Sequence, residues 1–365
     1  MPGQKPGPIR RAIEVEYWVI DDEGRLVEPG ALVEASAGVE REFVEPMLEI
    51  KTTPCESTTE LRNELLDRIA DVLRAADDLN KGLVPLATTV NADQIQELPS
   101  ERTQIQNCVI GEDFEYVRHC AGTHIHIEQQ PGREIDQLNT LIALDPALAL
   151  VNSSPYFQGQ RIASGARSKL YRWTAYDNLP HQGRLWPYAE DIAEWTHRLE
   201  QRYEEFVTAA VSAGVDRQAV ESSFDPESAI WTPVQLRSTF GTVEWRSPDT
   251  ALPSQILRLA EQVVAIVARL EDAEVRIEGD TGEVTEEGIV IPEFDKLLEY
   301  VNAAIQEGVA SDAVRSYLDR MGFDVGAYKP VSQEIDGREP VTPEEARQLR
   351  LNYAARLEQD VFDGK

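Results

Sequence analysis

Four short segments carry carboxylates and imidazoles at a spacing of two. In Ile13-Glu14-Val15-Glu16-Tyr17, an extended chain puts Glu14 and Glu16 on one face and the three apolar residues on the other. Carboxylates two residues apart lie about 7 Å from each other and repel unless a cation stands between them. The pattern returns in Met47-Leu48-Glu49-Ile50-Lys51, where Glu49 and Lys51 share a face. It returns again in Thr123-His124-Ile125-His126-Ile127-Glu128, where His124, His126 and Glu128 share one. In Thr242-Val243-Glu244-Trp245-Arg246 the shared pair is Glu244 and Arg246. Each segment alone reads as the wet face of an amphipathic strand. Together on one sheet they build a face of carboxylates and imidazoles, which is what a hard divalent cation such as Mg²⁺ requires. Its chemistry would be to neutralise charge on a transferring phosphoryl group.

Several familiar cradles for such chemistry are missing. The sequence has no H-E-x-x-H, no G-x-S-x-G and no G-x-x-x-x-G-K-[ST]. A nucleotide would therefore be held through metals and arginines. The stretch from Ser153 to Pro187 supplies Arg161, Arg167, Lys169, Arg172 and Arg184, read here as a loop recognising phosphate or carboxylate. The competing reading is that these arginines balance nearby acidic surface. Lys51, beside Glu49, joins Arg161, Arg167 and Arg172 as a candidate for binding substrate or phosphate.

The elements that must position these groups are legible from periodicity. Strands are expected at Ile13–Ile20, within Val44–Thr53, at Thr123–Glu128 and at Gly241–Arg246, with a hairpin turn at Asp21–Gly24. Ser57-Thr58-Thr59-Glu60 is a capping-box signature. It opens a helix whose apolar positions Leu61, Leu65, Ile69, Val72 and Ala76 recur at helical spacing, with Gly82 beyond its end. Further helices are expected near 136–152, 189–213, 253–270, 292–307, 311–321 and 342–360, with a loose arm over residues 1–8 and an exposed loop over 278–288. Separate strands and long helices without strict alternation predict an α+β fold. The boundaries read as one domain over 9–275 and a helical C-terminal region over 289–365, packed on the first.

Composition bounds the partners. The 365 residues hold 65 acidic and 35 basic side chains, a net charge of −30, and only seven of the basic residues are Lys. Such a chain repels nucleic acid and anionic membranes. The same excess suits concentrated salt, where a Debye length of about 3 Å screens the self-repulsion, so a salt-loving host is expected. With 42% hydrophobic residues the chain can build a core. The N-terminus carries no secretory pattern and the apolar run Leu141–Val151 is too short to span a bilayer, so the expected location is the cytoplasm. Cys55, Cys108 and Cys120 form no C-x-x-C pair and read as small hydrophobes.

Taken in order, the E-x-E strand, L-E-I-K-T-T-P, G-T-H-I-H, S-S-P-Y-F-Q-G and G-T-V-E-W-R-S-P-D-T resemble the second family of glutamate–cysteine ligases, carboxylate–amine ligases of the glutamine synthetase superfold. The likeness covers roughly residues 9–270. It implies a curved antiparallel sheet with helices on its outer face, and ATP with two or three Mg²⁺ (or Mn²⁺) on the concave one. Carried over, Glu16 and Glu49 resemble ligands of one metal, and Glu14, His124 and Glu244 ligands of a second. His126 and Glu128 stand beside them. Arg246 resembles the residue that meets the transferred phosphate, with Glu244 next to it. Many relatives read Asp-Thr-Gly where this sequence has Arg161-Ile162-Ala163, a departure at the expected amino-acid pocket. The implied reaction makes γ-glutamylcysteine from glutamate, cysteine and ATP through a γ-glutamyl phosphate. Its rivals are a ligase for another acid or amine, a metal-dependent hydrolase, and a non-catalytic metal or nucleotide binder. Oligomeric state is left open, with a homo-oligomer among the options.

Overall fold

The alternation in the first strand decides the architecture. A computed structural model describes residues 7–92, 94–337 and 340–364, so most of the expected N-terminal arm lies outside the described residues. β1 runs Arg11–Asp21, and its odd-numbered residues Ile13, Val15, Tyr17 and Val19 enter the main core. The even face changes character along the strand. Glu14 and Glu16 lie on it first, and beyond them Trp18 and Ile20 enter a second, smaller core.

β1 is the centre of a seven-stranded sheet. With β2 (Val39–Arg41), β3 (Met47–Lys51), β4 (Lys81–Val84), β5 (Thr123–Glu128), β6 (Val234–Arg237) and β7 (Thr242–Trp245), the order is β2-β3-β1-β5-β7-β6, with β4 also paired to β1. All these pairs are antiparallel, and the register matters more than the count. Glu16 stands opposite Glu49, Glu14 opposite both Lys51 and His124, and His126 opposite Glu244. Because antiparallel partners point to the same face, four charged strands turn their chemistry the same way.

The other face is covered by helices. α1 (Thr58–Asp78) buries Leu61, Leu65, Ile69, Val72 and Ala76, the stripe expected from the sequence. Ser57 caps it by accepting the Glu60 N–H, while Glu60 reaches one residue further back, to the Glu56 N–H. α2 (Glu134–Ala143) and α3 (Pro253–Ala268) lie against the sheet beside it. α4 (Pro343–Asp363) packs on β4, and its Ala346, Leu349, Tyr353 and Ala354 close the second core over Trp18 and Ile20. That contact explains why the polar face of β1 stops at Glu16. The expected class, α+β with an antiparallel sheet and helices against its outer face, is the one observed.

Several expectations need correction. The helix near 136–152 stops at Ala143 and continues as a 3₁₀ turn over Asp145–Leu150, because Pro146 has no N–H to donate. Gly82 lies beyond the end of α1 as expected, but inside a strand, β4, where its Cβ position faces Ala354 and Ile20 at about van der Waals distance. The arginine-rich stretch is not all loop, since Ala166–Trp173 is helical. The segment 278–288 contributes Glu283–Val284 to a small three-stranded sheet. β2, β4 and β6 were not anticipated.

Candidate functional site

The acidic face gathers at two ends of one cleft. At the first end His124 Nδ1 lies 3.3 Å from Glu14 Oε2 and 3.4 Å from Glu244 Oε1. His126 Nε2 lies 3.7 Å from Glu14 Oε1 and 3.6 Å from Glu244 Oε1. The Thr242 hydroxyl, 3.1 Å from His126 Nδ1, turns the ring so that Nε2 faces the two carboxylates. Two guanidinium groups flank Glu244. Arg237 Nη1 donates to its Oε2 at 2.9 Å, and Arg246 Nε stands 3.3 Å from its Oε1.

These neighbours act on the two carboxyls of this end. Burial would raise the Glu14 carboxyl, but His124 and His126 outweigh it and hold it well below the usual carboxylate range. Burial likewise opposes ionisation of Glu244, and Arg246, His124, His126 and Arg237 together bring it below its ordinary value.

The second end is carboxylate throughout. Glu16, Glu42 and Glu49 each offer an oxygen within 4.8 Å of the others. Burial, and then the Glu16 charge, push Glu42 up to about 8. Glu49 is raised well above its normal value by burial and by Glu42, Glu14 and Glu16, with Lys51 opposing. Lys51 Nζ, 2.9 Å from Glu49, also serves Glu40 at 3.0 Å. Glu16 accepts the Gly122 N–H.

Both ends fit a hard divalent cation. Their donors are oxygens and imidazole nitrogens, grouped as Glu14, His126 and Glu244, as Glu14, Glu49 and His124, and as Glu16, Glu42 and Glu49, each within 4.8 Å. At the first end His126 Nε2 is buried with no hydrogen-bond partner. At the second, three carboxylates converge against one shared ammonium group, an arrangement that a bound cation would relieve.

A cavity of about 360 Å³ opens beside this cleft and touches Glu16, Glu42, His124 and Arg246. Its far wall is aromatic, with Phe43, Phe114, Tyr171 and Trp231. The Arg246 guanidinium lies 5.5 Å over the Trp231 ring.

Other sequence candidates lie elsewhere. Glu128, at the far end of β5, is paired with Arg10 through a 3.0 Å bond from Arg10 Nε. Arg161 forms a two-pronged pair with Asp336 at 2.7 and 3.0 Å. Arg172 is buried in a bidentate pair with Asp145 at 2.7 and 3.2 Å, and Asp145 also accepts from Trp245 Nε1. Since Trp245 points away from Glu244 and Arg246, Arg172 serves the opposite side of β7. Arg167 donates to the carbonyls of Arg246, Ser247 and Pro248, supporting β7 from behind. Two residues of the cluster escaped the sequence reading. Glu42 had a signal in the acid-rich connection Glu40–Glu45, and Arg237 in the V-Q-L-R alternation that puts it on the same face as Gln235, the residue opposite Glu244.

The comparisons agree with this geometry. The family model described as glutamate–cysteine ligase family 2 matches residues 12–320. A glutamate–cysteine ligase of Haloferax volcanii is 26% identical over 284 residues, covering 71% of this chain and 70% of that protein. A putative glutamate–cysteine ligase 2-1 of Rhodococcus jostii is 26% identical over 263 residues, 69% of this chain and 65% of that one. Among solved structures, a bifunctional glutathione synthetase from Pasteurella multocida superposes with a TM-score of 0.60 at 13% identity, over 96% of this chain. This chain spans about half of that one, 52% of its length. A glutamate–cysteine ligase from Francisella tularensis in complex with AMP gives 0.51 at 12% identity, covering 98% of this chain and 89% of that chain. These two likenesses speak for the fold, whereas the family match covers most of the chain. The chain belongs to glutamate–cysteine ligase family 2, a family of ATP-dependent carboxylate–amine ligases.

Proposed function

We propose that the protein joins the γ-carboxylate of glutamate to the amine of cysteine, using ATP and forming γ-glutamyl phosphate on the way. The observation that carries this reading is the convergence of Glu14, Glu16, Glu42, Glu49, His124, His126 and Glu244 on one face of one sheet, with Arg237 and Arg246 at one end. A carboxylate is a poor electrophile. Its oxygen must first attack the γ-phosphorus of ATP, releasing ADP, before an amine can displace phosphate from the acyl carbon.

Magnesium held by Glu16, Glu42 and Glu49 at one end, and by Glu14, His126 and Glu244 at the other, would offset repulsion between the anionic nucleophile and the triphosphate. Thr242 holds His126 in the orientation this needs. Arg246 stands where charge develops on the moving phosphoryl group, and Arg167, bonded to the Arg246 carbonyl, fixes the backbone beneath it. The cavity beside Arg246 takes the acid substrate away from bulk water, which protects an acyl phosphate from hydrolysis. Arg161, the point of departure from the family pattern, is paired with Asp336 and does not line this cavity.

The test is a purified protein in molar KCl, given ATP, Mg²⁺, glutamate and cysteine. Release of phosphate together with a product of the mass of γ-glutamylcysteine is expected. Phosphate release that persists with other amines and not with cysteine would reassign the amine. Hydrolysis of a phosphate ester or of an amide without ATP would instead favour a hydrolase. No helix among the described residues is long and apolar enough to cross a membrane, and a cytoplasmic, salt-adapted setting is part of this proposal.

A further inference from the structure

The turn joining β6 to β7 carries an aromatic ring that the ligase reading leaves without a task. Phe240 is the most exposed large hydrophobic side chain among the described residues, at 60%. It is not on a loose loop. The Phe240 N–H donates to the Arg237 carbonyl at 3.2 Å, the Gln129 N–H to the Gly241 carbonyl at 2.9 Å, and the Ser238 N–H to Glu227 Oε1 at 2.8 Å. Gly241 closes the turn at φ +63°, a conformation that favours glycine. A rigid turn therefore holds an apolar ring out in water.

The neighbours of that ring give it meaning. It meets His126 edge to face with centroids 5.9 Å apart, and the Arg237 guanidinium lies 5.2 Å from its centroid. That same guanidinium donates to Glu244. Phe240 thus stands on the rim of the end that holds the imidazoles and guanidiniums, and is not among the residues lining the cavity. A triphosphate is drawn to the end where the Arg237 and Arg246 guanidinium groups stand. With its phosphates at Arg237 and His126, its base would lie within reach of the Phe240 ring, 5.2 Å from the one and 5.9 Å from the other.

We propose that Phe240 is the stacking platform for the nucleobase of ATP, a subsite that deepens, and rests on, the ligase reading. Arg237 links it to the phosphate end, touching the ring on one side and Glu244 on the other. The platform is tolerant of base identity, because every base offers a π-face.

The experiment compares Mg²⁺-ATP with Mg²⁺-tripolyphosphate, which lacks base and ribose, by calorimetric titration in molar KCl. Wild type should bind ATP more tightly than tripolyphosphate. Phe240→Ala should lose about tenfold in ATP affinity while tripolyphosphate binding and the thermal midpoint stay put, and Phe240→Tyr should restore ATP affinity. Phe240→Trp gives a second readout, an indole emission that ATP alters and tripolyphosphate does not, measured against the wild-type background. If wild type prefers ATP and Phe240→Ala keeps that preference in full, or the new indole is blind to ATP, the subsite is wrong and the ligase reading stands. If wild type binds neither ligand, the subsite and the reading beneath it both fail.

Discussion

The two ends of the cleft are built from the same acid and treat it differently. Around Glu14 and Glu244 the chain supplies its own partners, the imidazoles of His124 and His126 and the guanidinium groups of Arg237 and Arg246, and both carboxyls are held below their ordinary range against the cost of burial. Around Glu16, Glu42 and Glu49 it supplies Lys51, already shared with Glu40, and burial with mutual repulsion pushes Glu42 and Glu49 upward. Identical side chains on neighbouring strands therefore differ in what they await. The first end has its protein partners in place, with His126 Nε2 left without a hydrogen-bond partner. On the proposed reading a cation from outside would complete the second, and burial and mutual repulsion favour protons there without one.

The sharpest way to break this comparison is at Glu244, the hub of the first end. Glu244→Gln keeps the shape and removes the charge that Arg237, Arg246 and both imidazoles face. Phosphate release should fall by about a thousandfold, the scale of losing a preorganised charge in an active site. A loss below tenfold in steady-state turnover would mean that this end does not act on the reacting phosphate.

Next in size is a control outside the cleft. Arg172 and Asp145 form a buried pair of full geometry on the opposite side of β7. Arg172→Met leaves the buried Asp145 carboxylate facing only Ser247 and Trp245, so urea unfolding should show a loss of about 3–5 kcal/mol. If Arg172 instead bound substrate, stability would hold and the Michaelis constant for glutamate would rise.

A smaller effect is expected at the second end. Glu42→Gln removes one of three converging carboxylates. Without metal it should leave the thermal midpoint equal to or above wild type, because repulsion falls. With Mg²⁺ added, wild type should gain more than the variant, and the affinity for Mn²⁺ read by paramagnetic resonance should drop by about tenfold or more. Equal metal-induced gains in both proteins would remove Glu42 from the site.

How much of this was readable in advance follows from the same geometry. Glu14, Glu16, Glu49, His124 and Glu244 sit in strands whose alternation has a period of two, so their shared face follows from the sequence once the strands share a sheet. Glu42 lies in the connection between β2 and β3, where no period applies, and only the fold of that connection brings it to Glu16. Arg237 was legible in principle, since Val234 and Leu236 alternate with Gln235 and Arg237, but a four-residue strand offers too few repeats to stand out. The arginine-rich stretch misled for a different reason. Residue type announces an anion partner and cannot say whether that partner is a ligand, a buried Asp145 or the backbone carbonyls that Arg167 takes.

The rule behind the comparison, that a buried carboxyl keeps its proton where too little positive charge faces it, can be tested away from the cluster. Asp249 is fully buried, with Oδ2 accepting the Ser153 N–H and Oδ1 without a partner. Burial raises its carboxyl to about 7, against opposing help from Arg167 and the Ser153 N–H. Because the folded value exceeds the unfolded one near 4, the protonated Asp249 contributes stability that is fully present below pH 4 and is lost as pH climbs through 7. Asp249→Asn removes that dependence. The stability of the variant relative to wild type should therefore rise between pH 4 and 7, by at most about 1.4 kcal/mol per pH unit, and level off above. Taking the difference between two proteins in the same molar salt cancels the titration of the other acidic groups. A flat difference would mean that Asp249 is ionised throughout, and that Arg167 compensates it as fully as the imidazoles compensate Glu14.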